Sequence, residues 1–182
     1  MKSLAWITAV LLALCPPAGV AQEPTESQVK AAFLFNFVKF IEWPEESLRE
    51  NGGRIRLCVL GAGPFAPQLE RMVAGKSVNG RALEVVNVSL GGPWSHCQML
   101  FVGSAQAGAL HKLLDDLRGD SVLTVGEGSE FLRQGGAIRF FLLDNHVRFE
   151  INLDAAEQAR LKISSKLLAL AQSVRGGHAG GG

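Results

Sequence analysis

The hydrophobic and polar positions of this 182-residue chain fall into three regimes. From Leu4 to Leu14 the run is almost wholly apolar, and from Val29 to Trp43 it is apolar with a thin polar stripe. From Ile55 onward, short apolar blocks alternate with amphipathic ones. The first run follows Lys2, breaks at Pro16 and Pro17, and leads into the small residues Gly19-Val20-Ala21. That order predicts a secretory leader over residues 1–21, cleaved after Ala21. The run is too short to span a bilayer, which takes about 20 apolar residues. A lipid anchor at Cys15 is disfavoured, because Leu14 stands where a lipobox carries a small residue.

The second regime predicts a helix from Val29 to Trp43, stopped by Pro44. Its polar residues Asn36, Lys39 and Glu42 recur at i, i+3, i+6 and form one narrow stripe. Such a helix must bury most of its circumference against its own domain, a second subunit or a partner. Packing within the domain is the simplest account.

The third regime predicts strands at Ile55–Leu60, Leu83–Val88, Gln98–Val102 and Val122–Val125. Helices are expected at Phe65–Ala74, Ala105–Leu117 and Ser129–Arg133. Nearly continuous apolar strands joined by helices describe a mostly parallel sheet covered on both faces, an α/β fold of three layers. Right-handed crossovers favour a doubly wound order, of which 2-1-3-4 is one common form. Ala137–Leu143 and Val147–Leu153 flank Asp144-Asn145-His146 and should form an antiparallel hairpin at the end of the sheet. Asp154 is expected to cap a helix from Ala155 to Leu161. Ser164–Val174 is expected to continue as a second helical piece, with Leu167, Leu168, Leu170 and Ala171 inward. The expected organisation is a leader at 1–21, one domain at 22–175 and a disordered glycine-rich tail at 176–182.

Charge removes some functions from consideration. Of 18 basic side chains one, Lys2, lies in the leader, so the remainder balances the 17 acidic ones. A chain so balanced has nothing to draw it to nucleic acid or an anionic membrane. With Cys15 in the leader, Cys58 and Cys97 are left as one pair in an oxidising compartment, which reads as a structural disulfide. First and third strands that are neighbours would let the two meet.

The chemistry-bearing motifs are weak. Gly61-Ala62-Gly63-Pro64-Phe65-Ala66 has the G-x-G-x-x-A form after a strand, but no acid follows at the end of the second strand to hold a ribose, where Asn87 and Ser89 stand. A tight turn whose helix start favours a small anion is the remaining reading. Gly103-Ser104-Ala105 is no nucleophile elbow. His96, His111, His146 and His178 form no metal-ligand spacing. No cofactor, metal or catalytic set is expected. Arg148, Glu150 and Asn152 alternate with Val147, Phe149 and Ile151, so three polar side chains share one strand face. Ser164 and Lys166 follow nearby, where a hydroxyl could cap the last helix or join that patch.

At this point the residues resemble a known family, the YfiR-like periplasmic proteins. The resemblance rests on Val29-Lys30-Ala31-Ala32-Phe33-Leu34-Phe35-Asn36-Phe37-Val38-Lys39-Phe40-Ile41-Glu42-Trp43-Pro44, Cys58-Val59-Leu60-Gly61 with Pro64-Phe65, and Cys97-Gln98-Met99-Leu100-Phe101-Val102. It continues through Val122-Leu123-Thr124-Val125, Val147-Arg148-Phe149-Glu150-Ile151-Asn152 and Ile163-Ser164-Ser165-Lys166-Leu167-Leu168. It implies a periplasmic repressor, not an enzyme, that binds the outer-facing part of an inner-membrane diguanylate cyclase and so lowers cyclic-di-GMP and biofilm formation. It also implies release by an outer-membrane lipoprotein or by reduction of disulfides. The Cys58–Cys97 pair of the family is matched, whereas a second disulfide of some members has no counterpart, since Leu132 to Phe140 holds no cysteine.

The candidate partner surfaces are the first helix with Asn36, Lys39 and Trp43, the strand face Arg148, Glu150 and Asn152, and the segment of Ser164, Lys166 and Leu168. The apolar first helix makes a homodimer reasonable. A periplasmic small-molecule sensor is the alternative, its ligand beyond the carboxyl ends of the strands near Gly61, Gly63, Phe65 and Gly126.

Overall fold

The computed structural model describes residues 23–177 apart from Ala62, Pro93 and the side chain of Ser95. The expected leader and residues 178–182 of the expected tail lie outside the described residues. The first helix, α1 (Glu26–Phe40), starts at a reciprocal cap: the Thr25 side chain accepts from the Gln28 amide while the Gln28 side chain accepts from the Thr25 amide. It ends three residues earlier than the apolar run suggests. Ile41 and Glu42 leave the helix as β1 (Ile41–Glu42), which pairs with β9 (Lys162–Ile163) far along the chain. A short α2 (Glu45–Arg49) follows Pro44.

The main sheet is built from β2 (Ile55–Leu60), β3 (Ser77–Val78), β4 (Arg81–Val88), β5 (Met99–Val102), β6 (Leu123–Glu127), β7 (Ile138–Leu143), β8 (His146–Asn152) and β10 (Ser173–Arg175). Its order is β10-β8-β7-β6-β5-β2-β4-β3, so the central β4-β2-β5-β6 takes the 2-1-3-4 form of a doubly wound sheet. The strands from β4 to β7 run parallel; the hairpin of β7 and β8 and the edge hairpin of β3 and β4 are antiparallel. Both hairpins turn through two residues with positive φ, Asp144-Asn145 and Asn79-Gly80, the twist that matches right-handed strands.

Alternation along the strands sends side chains into two cores. Leu57, Val59, Met99, Phe101, Leu123 and Val125 meet α1 and α3 (Phe65–Val73) on one face. Cys58, Leu60, Leu100 and Val102 meet α4 (Leu110–Asp116) on the other. This is the three-layer α/β arrangement. On the first face Phe33 and Phe37 of α1 lie on Phe140 and Phe149 of the hairpin, with ring centroids 5.0 to 6.1 Å apart across the cluster. The helix is therefore buried within its own domain. Cys58 and Cys97 form a disulfide with Cα atoms 5.8 Å apart, as neighbouring β2 and β5 allow.

Four further expectations differ. Ala105–Leu117 splits into a 3-10 turn over Ser104–Ala109 and α4, consistent with the weak helix former Gly108 in the first part. The expected helix at Ser129–Arg133 is a run of turns, because the Phe131 ring is wedged where Cβ atoms on Gly126 and Gly136 would sit. Asn152, not Asp154, caps α5 (Leu153–Gln158), since its side chain accepts from the Ala155 amide at 3.3 Å. Ser164–Val174 is not one helix: α6 (Ser165–Leu168) lasts one turn, Leu170 is 65% exposed instead of inward, and the chain re-enters the sheet as β10, parallel to β8. Beyond it, the Gly177 amide donates to Asp154 Oδ1 at 2.9 Å, so the expected tail begins on a tether.

Candidate functional site

The face of β7, β8 and β10 turned away from α1 carries the polar residues singled out in the sequence. Register sets their partners. Glu150 lies opposite Arg139 on β7 and opposite Ser173 on β10. Its Oε2 accepts from Arg139 Nε at 3.1 Å and Nη2 at 2.7 Å, and its Oε1 accepts from Ser173 Oγ at 2.9 Å. Only 14% of the Glu150 side chain and 17% of the Arg139 side chain remain exposed. Burial pushes the Glu150 carboxyl up, but the hydrogen bonds from Ser173 and Arg139, with the charges of Arg139 and Arg175, outweigh it and hold the pKa below the usual glutamate value. Asn152 is likewise engaged, capping α5 and donating to the Leu132 carbonyl at 3.2 Å. Arg148, which faces Phe141 across the hairpin, is exposed and makes no ion pair among the described residues.

A second surface lies on the α1 side. Asn36 and Lys39 are exposed there, with Lys39 Nζ donating to Asn36 Oδ1 at 3.0 Å and sitting 4.0 Å above the Phe35 ring. The closing segment is fastened to the end of that helix through the β1–β9 pair and a bond from the Ser164 amide to the Phe40 carbonyl at 2.9 Å. Ser164 caps α6, leaving Lys166 exposed and Leu168 half-buried. The candidate partner residues thus divide between two faces of the sheet. Asn36, Lys39, Ser164, Lys166 and Leu168 lie on one, and Arg148, Glu150 and Asn152 on the other. Trp43 is buried, its Nε1 donating to the Gln98 carbonyl at 2.9 Å.

Beyond the carboxyl ends of β2 and β5, where the order of the parallel strands reverses, a crevice of about 320 Å³ is lined by Gly61, Gly63, Phe65, Ser104, Lys30 and Glu127 among others. Gly61 and Gly63 have φ of 64° and 47°, which the tight turn requires. Lys30 reaches the crevice from α1 and is paired with Glu127 at 2.5 Å and with Glu26. Burial lowers its pKa, but hydrogen bonds and charge from Glu127 and Glu26 raise it further, so the ammonium stays charged. Gly126 is absent from this lining; its missing Cβ makes room for Phe131.

With that geometry in hand, comparison with known proteins decides the family. A YfiR/HmsC-like family model matches residues 27–172. The chain belongs to the YfiR/HmsC-like family. Among solved structures, the YfiR/HmsC-like chain is similar to a conserved domain protein of Vibrio cholerae O1 biovar El Tor strain N16961. The TM-score is 0.56 at 11% identity, over 82% of this chain and 60% of that one. A likeness at that identity concerns the fold. This chain spans less than two thirds of that neighbour's length. Among the described residues no helix is long and apolar enough to cross a membrane.

Two sets of residues in this YfiR/HmsC-like protein went unread in the sequence. Gln98, 1% exposed, is a hub: its Oε1 accepts from the Arg56 amide at 2.8 Å and from Asn51 Nδ2 at 3.1 Å, and its Nε2 donates to the Ser47 carbonyl at 3.0 Å. A glutamine at the mouth of the apolar block Met99–Val102 is the available signal, because a buried amide needs partners. The Lys30–Glu127 pair joins residues 97 positions apart, and only the fold brings them together.

Proposed function

We propose that this protein is a periplasmic regulator that binds the outer-facing part of an inner-membrane diguanylate cyclase and holds it inactive, lowering cyclic-di-GMP and biofilm formation. The observation that carries this reading is family membership over residues 27–172. The geometry supports a binding role. The exposed polar groups Lys39, Lys166 and Arg148 ride on α1, α6 and β8, and the part-buried Glu150 and Asn152 are spent on tying β8 to β7 and β10 and on capping α5. A repressor of this kind acts by differential affinity. Moving a cyclase from mostly active to mostly inactive takes about 10⁴-fold tighter binding to the inactive form. An outer-membrane lipoprotein that competes for the same surface would release it.

The contact surface in this reading is the α1 stripe together with the closing segment, joined by the β1–β9 pair, with Arg148 as a second contact. The test is binding of the purified protein to the periplasmic region of each inner-membrane diguanylate cyclase of its own organism, alongside cellular cyclic-di-GMP. Lys166→Glu is expected to weaken binding at least tenfold and raise cyclic-di-GMP while leaving the unfolding midpoint unchanged. Absence of binding to every such region, with cyclic-di-GMP unchanged on deletion, overturns the proposal.

The crevice favours one alternative, a small-molecule sensor, because it sits at the reversal point of the sheet and holds both a cation and an anion. A saturable rise in melting temperature with a periplasmic metabolite, lost in Lys30→Met, would distinguish it.

A further inference from the structure

Arginine and lysine serve different ends in this chain. Most of the described arginines pair with carboxylates, as Arg56 does with Glu84 and Arg139 with Glu150. Among the described lysines only Lys30 does so. Lys39, Lys76, Lys112, Lys162 and Lys166 are exposed, with no ion pair among the described residues.

Four of those five gather where α1 ends. Lys39 stands in its last turn. Lys76 arrives from the loop after α3, and its Nζ lies 4.5 Å from the centre of the Phe35 ring that Lys39 Nζ covers at 4.0 Å. Lys162 is opposite Glu42 in the β1–β9 pair, and Lys166 follows closely on Ser164, whose amide holds the Phe40 carbonyl. Lys112 is the exception, on α4 at the other face of the sheet.

Local structure does not account for this gathering. A helix end draws a cation into its last turn, and Lys39 fills that place. One aromatic ring attracts one ammonium, but a second ammonium on the same ring repels the first. The last carbonyl of α1 is held by the Ser164 amide and needs no lysine. Exposed like charges brought together in this way favour an anion from outside the domain. The half-buried Phe35, Phe40 and Leu168 share the surface with them, so the complementary segment carries apolar side chains as well.

We propose that Lys39, Lys76, Lys162 and Lys166, at the end of α1, form the docking point for a carboxylate-rich segment of a partner protein. Where that partner is the cyclase, the inference rests on the reading above and names the chemistry that its periplasmic region presents. A protein segment fits better than a bilayer. A flat anionic surface would press its charge on Glu42 and the apolar rings as well as on the lysines, whereas a segment varies along its length. Lysines are compact, hydrated point charges, so they govern encounter more than final geometry, and the association should be salt-dependent.

Two measurements test it. The first titrates the purified protein with a short glutamate-rich peptide at low salt. Saturable binding is expected, weakened at least tenfold in the double variant Lys39→Gln with Lys76→Gln, and unchanged in Lys112→Gln, with the unfolding midpoint of each variant close to the parent. The second follows association with the periplasmic region of each inner-membrane diguanylate cyclase of the same organism. For a region that binds, the association rate should fall about tenfold as salt rises several-fold through the range where the Debye length is about 10 Å, and should fall similarly in Lys39→Glu with Lys76→Glu. No peptide binding, binding that the double variant retains in full, or tighter capture by anionic phospholipid vesicles than by the peptide overturns the proposal. So does a cyclase region whose association ignores both salt and the double charge reversal, an outcome that leaves the cyclase reading standing. Peptide binding lost in the double variant, with no cyclase region bound, supports the lysine cluster and removes the cyclase as its partner.

Discussion

Changing Glu150 to lysine looks from the sequence like a clean way to probe a wet sheet face. The structure makes it a stability mutation. The substitution removes a carboxylate that accepts two hydrogen bonds from Arg139 and one from Ser173. It puts an ammonium beside a guanidinium whose side chain is 17% exposed. Hydrogen bonds to charged groups contribute about 1.5–3 kcal/mol each, but they are not additive here because Arg139 can turn partly to water. Removing one member of a buried pair costs about 3–5 kcal/mol, so about 3 kcal/mol is the expected loss at this partly open site. Glu150→Gln keeps an acceptor for Ser173 and Arg139 and should cost about 1 kcal/mol. Urea unfolding at pH 7, followed by the fluorescence of buried Trp43 and Trp94, measures both. Hydrogen exchange at Val174 should rise in Glu150→Lys, since Ser173 ties β10 to β8 through this carboxylate. If Glu150→Lys falls within about 0.5 kcal/mol of the parent, as ordinary surface changes do, the reasoning is wrong. Loss of repression in this variant would report a loosened edge, and Arg148→Glu is the better probe of contact.

Acid should act through the same residue. The Glu150 pKa is lowered in the fold, so its contribution is present above the usual glutamate value and disappears as pH falls through the lowered one, a slope that Glu150→Gln should abolish. Gln98→Leu strips the Arg56 amide, Asn51 and the Ser47 carbonyl of their partner and should cost about 2–4 kcal/mol in urea unfolding. Phe37→Ala opens the aromatic cluster that seats α1 on the hairpin and should cost about 3–5 kcal/mol; an unchanged midpoint would place α1 outside the cooperative core. Reducing Cys58–Cys97 frees a loop with 39-residue separation and should lower stability by about 4 kcal/mol on the chain-entropy account, read as a shift in melting temperature with reductant.

The alternation of apolar blocks was enough to determine the layered, doubly wound α/β plan and a hairpin turning within Asp144-Asn145-His146, because these depend on local periodicity and on chain connections that cross one way; that the turn is two residues long, with His146 already in β8, came from the fold. The same local logic explains the helix cap at Thr25, whose partner is three residues away. What the chain does at Phe40 and after Leu168 was decided only in three dimensions. A helix-forming stretch yields Ile41 and Glu42 to β9, and Leu170 is left exposed so that Ser173–Arg175 can close the sheet. The roles of the polar residues were settled in the same way. Glu150 and Asn152 read as surface by alternation, yet Arg139, Ser173, Leu132 and Ala155 engage them once distant segments come into register. Gly126 reads as a ligand position but serves the Phe131 ring. Periodicity tells which side of a strand a residue occupies; what waits on that side is set by segments tens of residues away, and so only by the folded chain.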